Sequence, residues 1–301
     1  MKQIAQITAS PVTARADNID DQAKLALSEA MSFIVEGHEH MGAGSWDGKS
    51  TLYDWISGKF PAGFVPTATA VLQRRGYQVM HRKAPLPTPL GVMPTPKNPI
   101  VDNFDPDPNR AYQFKAPRIL VKHGNGIYRV ATGGGKSRIA ALCITYIGRK
   151  TAFVTTRQVL LYQMGEALEA AGIKVSYVGD GSWDTSGDVV LCMVQTIADR
   201  LGAFQPSNPR ISPAEKQREL DRWQKRRDEC IELCDSIEFL IAEEAHEAGG
   251  NSYYEVCKAM RRASYRMALT ATPMMRDGES NVRLIAMFGP IRLEVTEEEL
   301  I

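Results

Sequence analysis

The sequence predicts an α/β protein: a parallel sheet flanked by helices and carrying a phosphate-binding loop, preceded by a small α+β domain. Three observations lead there. From residue 126 onward, short apolar runs alternate with helical stretches, the pattern of parallel strands joined by crossover helices. Among them GIYRVATGGGKSRIAA reads as strand, glycine turn and helix start, the context in which a glycine-rich loop cradles phosphate. The third observation is compositional: eight prolines fall between residues 85 and 108. Proline fits neither helix interiors nor central strands, so this segment reads as a surface linker. The expected division is a small α+β domain at 1–85, a linker at 86–108 and the phosphate-loop domain at 109–301.

Composition fits that division. A chain of 301 residues with 44% hydrophobic and 24% charged residues has room for two cores, which excludes disordered and fibrous classes. No apolar run approaches the roughly 18 residues of a membrane span, and the N-terminus shows no export signal, so a cytoplasmic, membrane-free protein is expected. Five cysteines without a C-x-x-C pair argue against a disulfide framework and a zinc ribbon. The net charge of +1 hides an uneven distribution: nine Lys/Arg and no acid lie between Arg110 and Lys150. Such a stretch suits an anionic ligand or a solvated basic face.

The elements follow in order. Residues 19–35 place Leu27, Met31 and Ile34 on one stripe, predicting an amphipathic helix. STLYDW reads as a strand, residues 64–75 as a helix closed by Gly76, and YQVMHR as a strand. After the linker come GIYRVAT, a helix from Lys136, TAFVTT, a helix through Met164, VSYVGD, DVVLCMV, FLIAEEAH and RMALTATP. Residues 214–235 read as a highly charged helix with Leu220, Trp223, Cys230 and Cys234 on one stripe. Cys230 and Cys234 have metal-ligand spacing but no third ligand nearby, so they read as packing. His38 and His40, two apart, do not share a helix face and read as loop.

The chemistry concentrates at two places. Gly133, Gly134 and Gly135 let backbone N–H groups crowd phosphate oxygens. Lys136 is placed to reach the β and γ phosphates, and the Ser137 hydroxyl to hold Mg²⁺. Val130 stands where the usual loop has its first glycine. Glu243 and Glu244 end the apolar run FLIA, at the strand edge where open parallel sheets bind ligands. One carboxylate is needed to steady the metal and another to orient the attacking water.

With these motifs the chain resembles the first RecA-like motor domain of superfamily 2 (DEAD/DEAH-like) helicases. Thr132 to Ser137 matches that family's T-G-x-G-K-[ST], and Glu244, Ala245 and His246 match its D-E-A-H box after the first position. T-A-T-P at Thr270 to Pro273 resembles motif III, TTRQVLLYQ from Thr155 motif Ia, and VQTI from Val194 the segment that touches the tracked strand. Tyr112-Gln113 resembles the family's adenine-contacting pair. LTATPMMRDGESNVRLIAMFGPI is similar to the XPB-like and type III restriction-like branch. The earlier segment, through Trp46, Asp47, Gly48, Phe60, Pro61, Gly63, Gly76 and Tyr77, resembles the small domain of UvsW-type phage branched-DNA helicases.

The resemblance implies a RecA-like P-loop domain using ATP and Mg²⁺. Thr132 to Ser137 and Gln113 would bind nucleotide, with Lys136 and Glu244 catalytic and Ser137 and Glu243 at the metal. His246, Thr270 and Thr272 would couple the two sites, while Arg157, Gln163, Gln195 and Thr196 would contact DNA. The implied function is ATP-dependent remodelling of branched or duplex DNA, with RNA–DNA hybrids open, by a monomer in a phage-infected or bacterial cytoplasm. The alternatives are the motor subunit of a restriction system and a non-hydrolysing binding module. Two departures stand out: Glu243 replaces the family's Asp, and no second RecA-like lobe precedes Ile301. The chain is therefore expected to be an N-terminal fragment of a two-lobed enzyme.

Overall fold

The computed structural model describes residues 3–35, 47–101, 105–208, 210–243, 251–272 and 278–300. Its first unit is a four-stranded sheet in the order β5-β2-β1-β6, formed by β1 (Ile4–Ala9), β2 (Thr13–Asp17), β5 (Lys59–Pro61) and β6 (Gln78–Lys83). Helices α1 (Asp21–Ala30) and α2 (Val65–Arg74) pack against each other and on this sheet. A two-stranded ribbon of β3 (Ser32–Ile34) and β4 (Lys49–Thr51) stands beside it.

Local chemistry sets these boundaries. Asp20 caps α1, its Oδ1 accepting the Ala23 N–H at 2.7 Å, which satisfies one of the free donors of the first turn. The Ala23 bond, then the Tyr77 hydroxyl, holds the Asp20 carboxyl below its ordinary pKa. The helix expected over 19–35 ends at Ala30: Leu27 and Met31 are buried as the stripe requires, but Ile34 lies exposed in β3. The STLYDW strand is likewise cut to Lys49–Thr51, because Asp54 accepts the Ile56 and Ser57 N–H groups and folds the chain into a turn. Strands β1 and β2 had no counterpart in the sequence reading.

The second unit is an eight-stranded sheet in the order β10-β9-β11-β8-β12-β13-β7-β14. Its strands are β7 (Asn125–Val130), β8 (Thr151–Thr155), β9 (Val175–Gly179), β10 (Ser182–Trp183), β11 (Val189–Met193), β12 (Phe239–Glu243), β13 (Tyr265–Thr270) and β14 (Ile291–Val295). Every pairing is parallel except β9 with β10. One face carries α3 (Lys115–His123), α4 (Lys136–Ile147) and α5 (Gln158–Ala170). The other carries α6 (Val194–Leu201), α7 (Pro213–Ser236), α8 (Asn251–Ala259) and α9 (Gly278–Phe288). This is the expected RecA-like α/β architecture, with α3, α6, α8, α9, β10 and β14 added to the elements read from sequence.

Helix α7 starts with a capping box between Ser212 and Glu215. It buries Cys230, Leu233 and Cys234, while Leu220 and Trp223 are only half-buried. All five cysteines are free thiols buried as packing, and among the described residues no group of three or more His, Cys, Asp or Glu side chains could hold a metal ion. His38 and His40 lie outside the described residues. Among the described residues no helix is long and apolar enough to cross a membrane.

The two units share one continuous core, in which Phe64 and Leu72 join Leu284, Ala286 and Phe288 of α9. Gly63 makes this possible: a Cβ there would fall 1.8 Å from the Ile285 carbonyl oxygen. The proline-rich segment runs along the end of α4, where Leu90 and Gly91 donate N–H groups to the carbonyls of Ile147 and Tyr146 at 3.1 and 3.0 Å.

Candidate nucleotide and nucleic-acid site

The glycine loop joins the carboxyl end of β7 to α4. Gly133 and Gly135 hold φ values of +79° and +81°, a left-handed backbone that side chains with a Cβ rarely adopt. Gly134 is excluded from carrying a side chain by space instead, since a Cβ would lie 2.5 Å from Val130 Cγ1. The three glycines thus turn the chain onto the amino end of α4, whose first residues are Lys136 and Ser137, both partly exposed. Thr132 is exposed at the loop's start.

A 3-10 segment, Pro108–Phe114, braces this loop from outside. Arg110 Nη1 donates to the Gly133 carbonyl at 2.7 Å, and the Tyr112 hydroxyl donates to the Gly134 carbonyl at 2.7 Å. Gln113 Nε2 reaches the same Gly134 carbonyl at 3.2 Å. Gln113 is 1% exposed and its Oε1 is buried without a hydrogen-bond partner. Burial raises the Tyr112 pKa, against the opposing effect of Arg110. The sequence reading marked Tyr112 and Gln113 but gave Arg110 no role. Arg110 sits at a kink in this segment, with φ −113° and ψ 30°, and reaches a main-chain carbonyl, a partner that no sequence spacing marks.

Glu243 closes β12 and is 6% exposed. Strand parity places it: Glu243 pairs with Leu269 of β13, and Leu269 with Tyr128 of β7. Tyr128 and Leu269 pack on the α4 face, so Glu243 projects to the side from which α4 leaves the loop. One strand, β13, separates it from β7. The Tyr253 hydroxyl, which sequence gave no reason to single out, sits 2.8 Å from the Val154 carbonyl and 2.9 Å from that of Glu243. It ties the ends of β8 and β12 to α8.

Thr270, fully buried, ends β13 with the opposite parity to Leu269 and so faces α8 and α9. Its Oγ1 accepts the Thr272 N–H at 3.2 Å. Glu244, His246 and Pro273 lie outside the described residues. Arg157 is exposed at the start of α5, just past β8, and Gln163 is exposed farther along that helix. Gln195, exposed, and Thr196, half-buried, begin α6 just past β11, the strand beside β8. Gln195 Nε2 donates to Asp199 Oδ1 at 2.6 Å. The structure therefore brings the loop residues, Gln113, Glu243, Thr270, Arg157, Gln195 and Thr196 to one edge of the sheet, its carboxyl edge, with Gln163 set back from it.

The family described as "Type III restriction enzyme, res subunit" matches residues 107–275, more than half of the chain. No curated protein sequence matches. In fold, the chain is similar to the UvsW helicase from bacteriophage T4, with TM-score 0.70 and 17% identity over 95% of this chain and 98% of that one. A second T4 UvsW structure gives TM-score 0.71 and 19% identity over 97% of this chain, which spans 57% of that longer chain. The small first unit is included in this likeness, which covers 95% of the chain, whereas the family match begins at residue 107. The chain belongs to the type III restriction enzyme res-subunit family, and with it to the superfamily 2 helicases.

Proposed function

We propose that this protein is an ATP-driven DNA motor of the UvsW-like type, acting on branched or duplex DNA. The observation that carries the reading is the shared carboxyl edge. The glycine loop and its Gln113 brace sit there with a buried strand-end acid on the α4 face, beside exposed residues of α5 and α6.

The residues present fit a nucleotide with its metal. Gly133 and Gly135 leave a side-chain-free loop, and Gln113 keeps a buried acceptor that an amino group of a base would satisfy. Bound Mg-ATP supplies a phosphoanhydride whose hydrolysis releases the energy for movement. Lys136 would neutralise phosphate charge, and Thr132 and the loop N–H groups would orient the phosphates. Ser137 and Glu243 would hold the metal, and Glu244 would accept a proton from water. Thr270, Thr272 and His246 would carry the state of that site toward Arg157, Gln163, Gln195 and Thr196, where DNA would lie.

The similarity to a phage T4 helicase over both units supports a nucleic-acid partner. The test is reciprocal binding. A forked duplex and a linear duplex are titrated with and without a non-hydrolysable ATP analogue; coupled sites must change each other's affinity by the same factor. Tighter binding of the fork, enhanced by nucleotide, is expected. Independent binding of nucleotide and DNA would contradict a motor and favour a plain binding module.

A further inference from the structure

At the amino edge of the large sheet lies a second cluster of cations that the nucleotide site does not use. It surrounds a cavity of about 110 Å³ at the seam between the two units, several times the ~30 Å³ of a water molecule. The small unit contributes Ser10 and Lys83, and the large unit His123, Asn125 and Arg292. Strands of about six residues at ~3.3 Å each put this seam roughly 20 Å from the glycine loop.

Four of the lining residues, Lys83, His123, Arg266 and Arg292, are cationic or titratable to a cation, of which Arg266 already donates to the carbonyls of Met287, Met260 and Cys257, and no acid is among the described residues lining the cavity. Arg292 is held from behind, where a Cβ on Gly126 would fall 2.5 Å from its Cγ. Its Nε is buried without a partner. Burial first, then Arg292, Lys122 and Lys83, lowers the His123 pKa; desolvation lowers that of Lys83 too, although the Lys83 side chain is exposed. Crowded cations without a counter-charge are unfavourable unless an anion joins them. Lys122 and His123 have a partial structural explanation, since the last turn of a helix favours positive charge. Lys83 and Arg292 arrive from β6 and β14, where that explanation does not apply.

A stripe continues from the cavity. Lys115, Arg118 and Lys122 are exposed on α3, and their i, i+3, i+7 spacing aligns them over about 10 Å of one helix face. They belong to the acid-free stretch between Arg110 and Lys150. A single free anion would need the cavity alone; a polyanion would use cavity and stripe together.

We propose that the seam holds a backbone phosphate of duplex nucleic acid between Lys83, His123 and Arg292, with the strand continuing along Lys115, Arg118 and Lys122. The contact bridges the two units, so the small unit clamps the duplex against the motor. This rests on the reading of the chain as a nucleic-acid motor.

The test measures duplex affinity against salt for the full chain, its Lys83→Gln variant and its Arg292→Gln variant, with ATP-analogue binding as the folding control. The His123 ring resonance is followed in parallel with duplex or with inorganic phosphate. Each variant is expected to lower the salt slope by about one, the loss of one phosphate contact, and to weaken binding roughly tenfold at 0.1 M salt. Duplex should move the His123 resonance. If the wild type binds duplex and the Lys83→Gln variant keeps its affinity and slope, this inference is overturned while the motor reading stands. A resonance that answers to inorganic phosphate but not to duplex makes this a free-anion site and also overturns it. Failure of the wild type to bind any duplex defeats the motor reading and the inference with it.

Discussion

Gln113 donates from Nε2 to the carbonyl of Gly134 at 3.2 Å, while its Oε1 is buried with no partner. One side chain thus fixes the glycine loop and presents an unused acceptor beside it. Gln113→Ala is expected to weaken adenine-nucleotide binding about tenfold, the loss of a hydrogen bond or two of ~1 kcal/mol each, and to narrow the preference for ATP over GTP. Titration of both nucleotides checks this. Unchanged preference would leave Gln113 as a loop brace only.

The loop glycines separate conformation from space. Gly133 and Gly135 share a left-handed backbone, but a Cβ at Gly133 meets nothing within 4 Å, whereas one at Gly135 falls 2.4 Å from Gln113 Nε2. Gly133→Ala is expected to cost about 1–2 kcal/mol through backbone strain alone. Gly135→Ala should cost more and displace Gln113 as well, so the Gly135 variant loses adenine preference and the Gly133 variant keeps it. Thermal unfolding with nucleotide titration reads both effects.

The main sheet was legible because its buried strands are continuous apolar runs, and the glycine loop because its residue types are chemically specific. The first sheet was not. Strands β1 and β2 bury Ala5, Ile7, Ala14 and Ala16, and alanine gives too little contrast in size or β preference to mark an alternation. Helix α3 was hidden by Pro117, which sits in its first turn, where the missing N–H costs nothing. The stripe through Leu27, Met31 and Ile34 misled because a strand begins where the helix pattern continues. At the site, Arg110 and Tyr253 act through main-chain carbonyls, and such partners leave no sequence motif.

Docking of the small unit includes one very close backbone approach beside the shared core. With a Cβ 1.8 Å from the Ile285 oxygen and 2.7 Å from the Ala286 oxygen, Gly63→Ala must push α9 away from the segment before α2. A loss of about 2 kcal/mol or more is expected, seen as a lower Tm and faster proteolysis within residues 86–108. An unchanged Tm would mean that the seam is not a packed interface.

Glu243 stands where related motors carry aspartate, with a side chain longer by one methylene. Because it is buried at a strand end on the α4 face, Glu243→Asp is expected to keep or raise nucleotide turnover, and Glu243→Ala to abolish the Mg²⁺ dependence of nucleotide binding. Glu244→Gln should bind nucleotide and fail to hydrolyse it, since the lost group acts on water. Steady-state turnover and binding with and without Mg²⁺ separate the three.

The most direct measurement is a titration of a fluorescent ATP analogue into the wild type and Lys136→Ala, each with Mg²⁺ and with chelator. Saturable binding that requires Mg²⁺ and weakens at least about tenfold in Lys136→Ala, a loss of ~1.4 kcal/mol or more, is the predicted result. Binding that ignores both the lysine and the metal would contradict the assignment of the glycine loop and Glu243 as a nucleotide site.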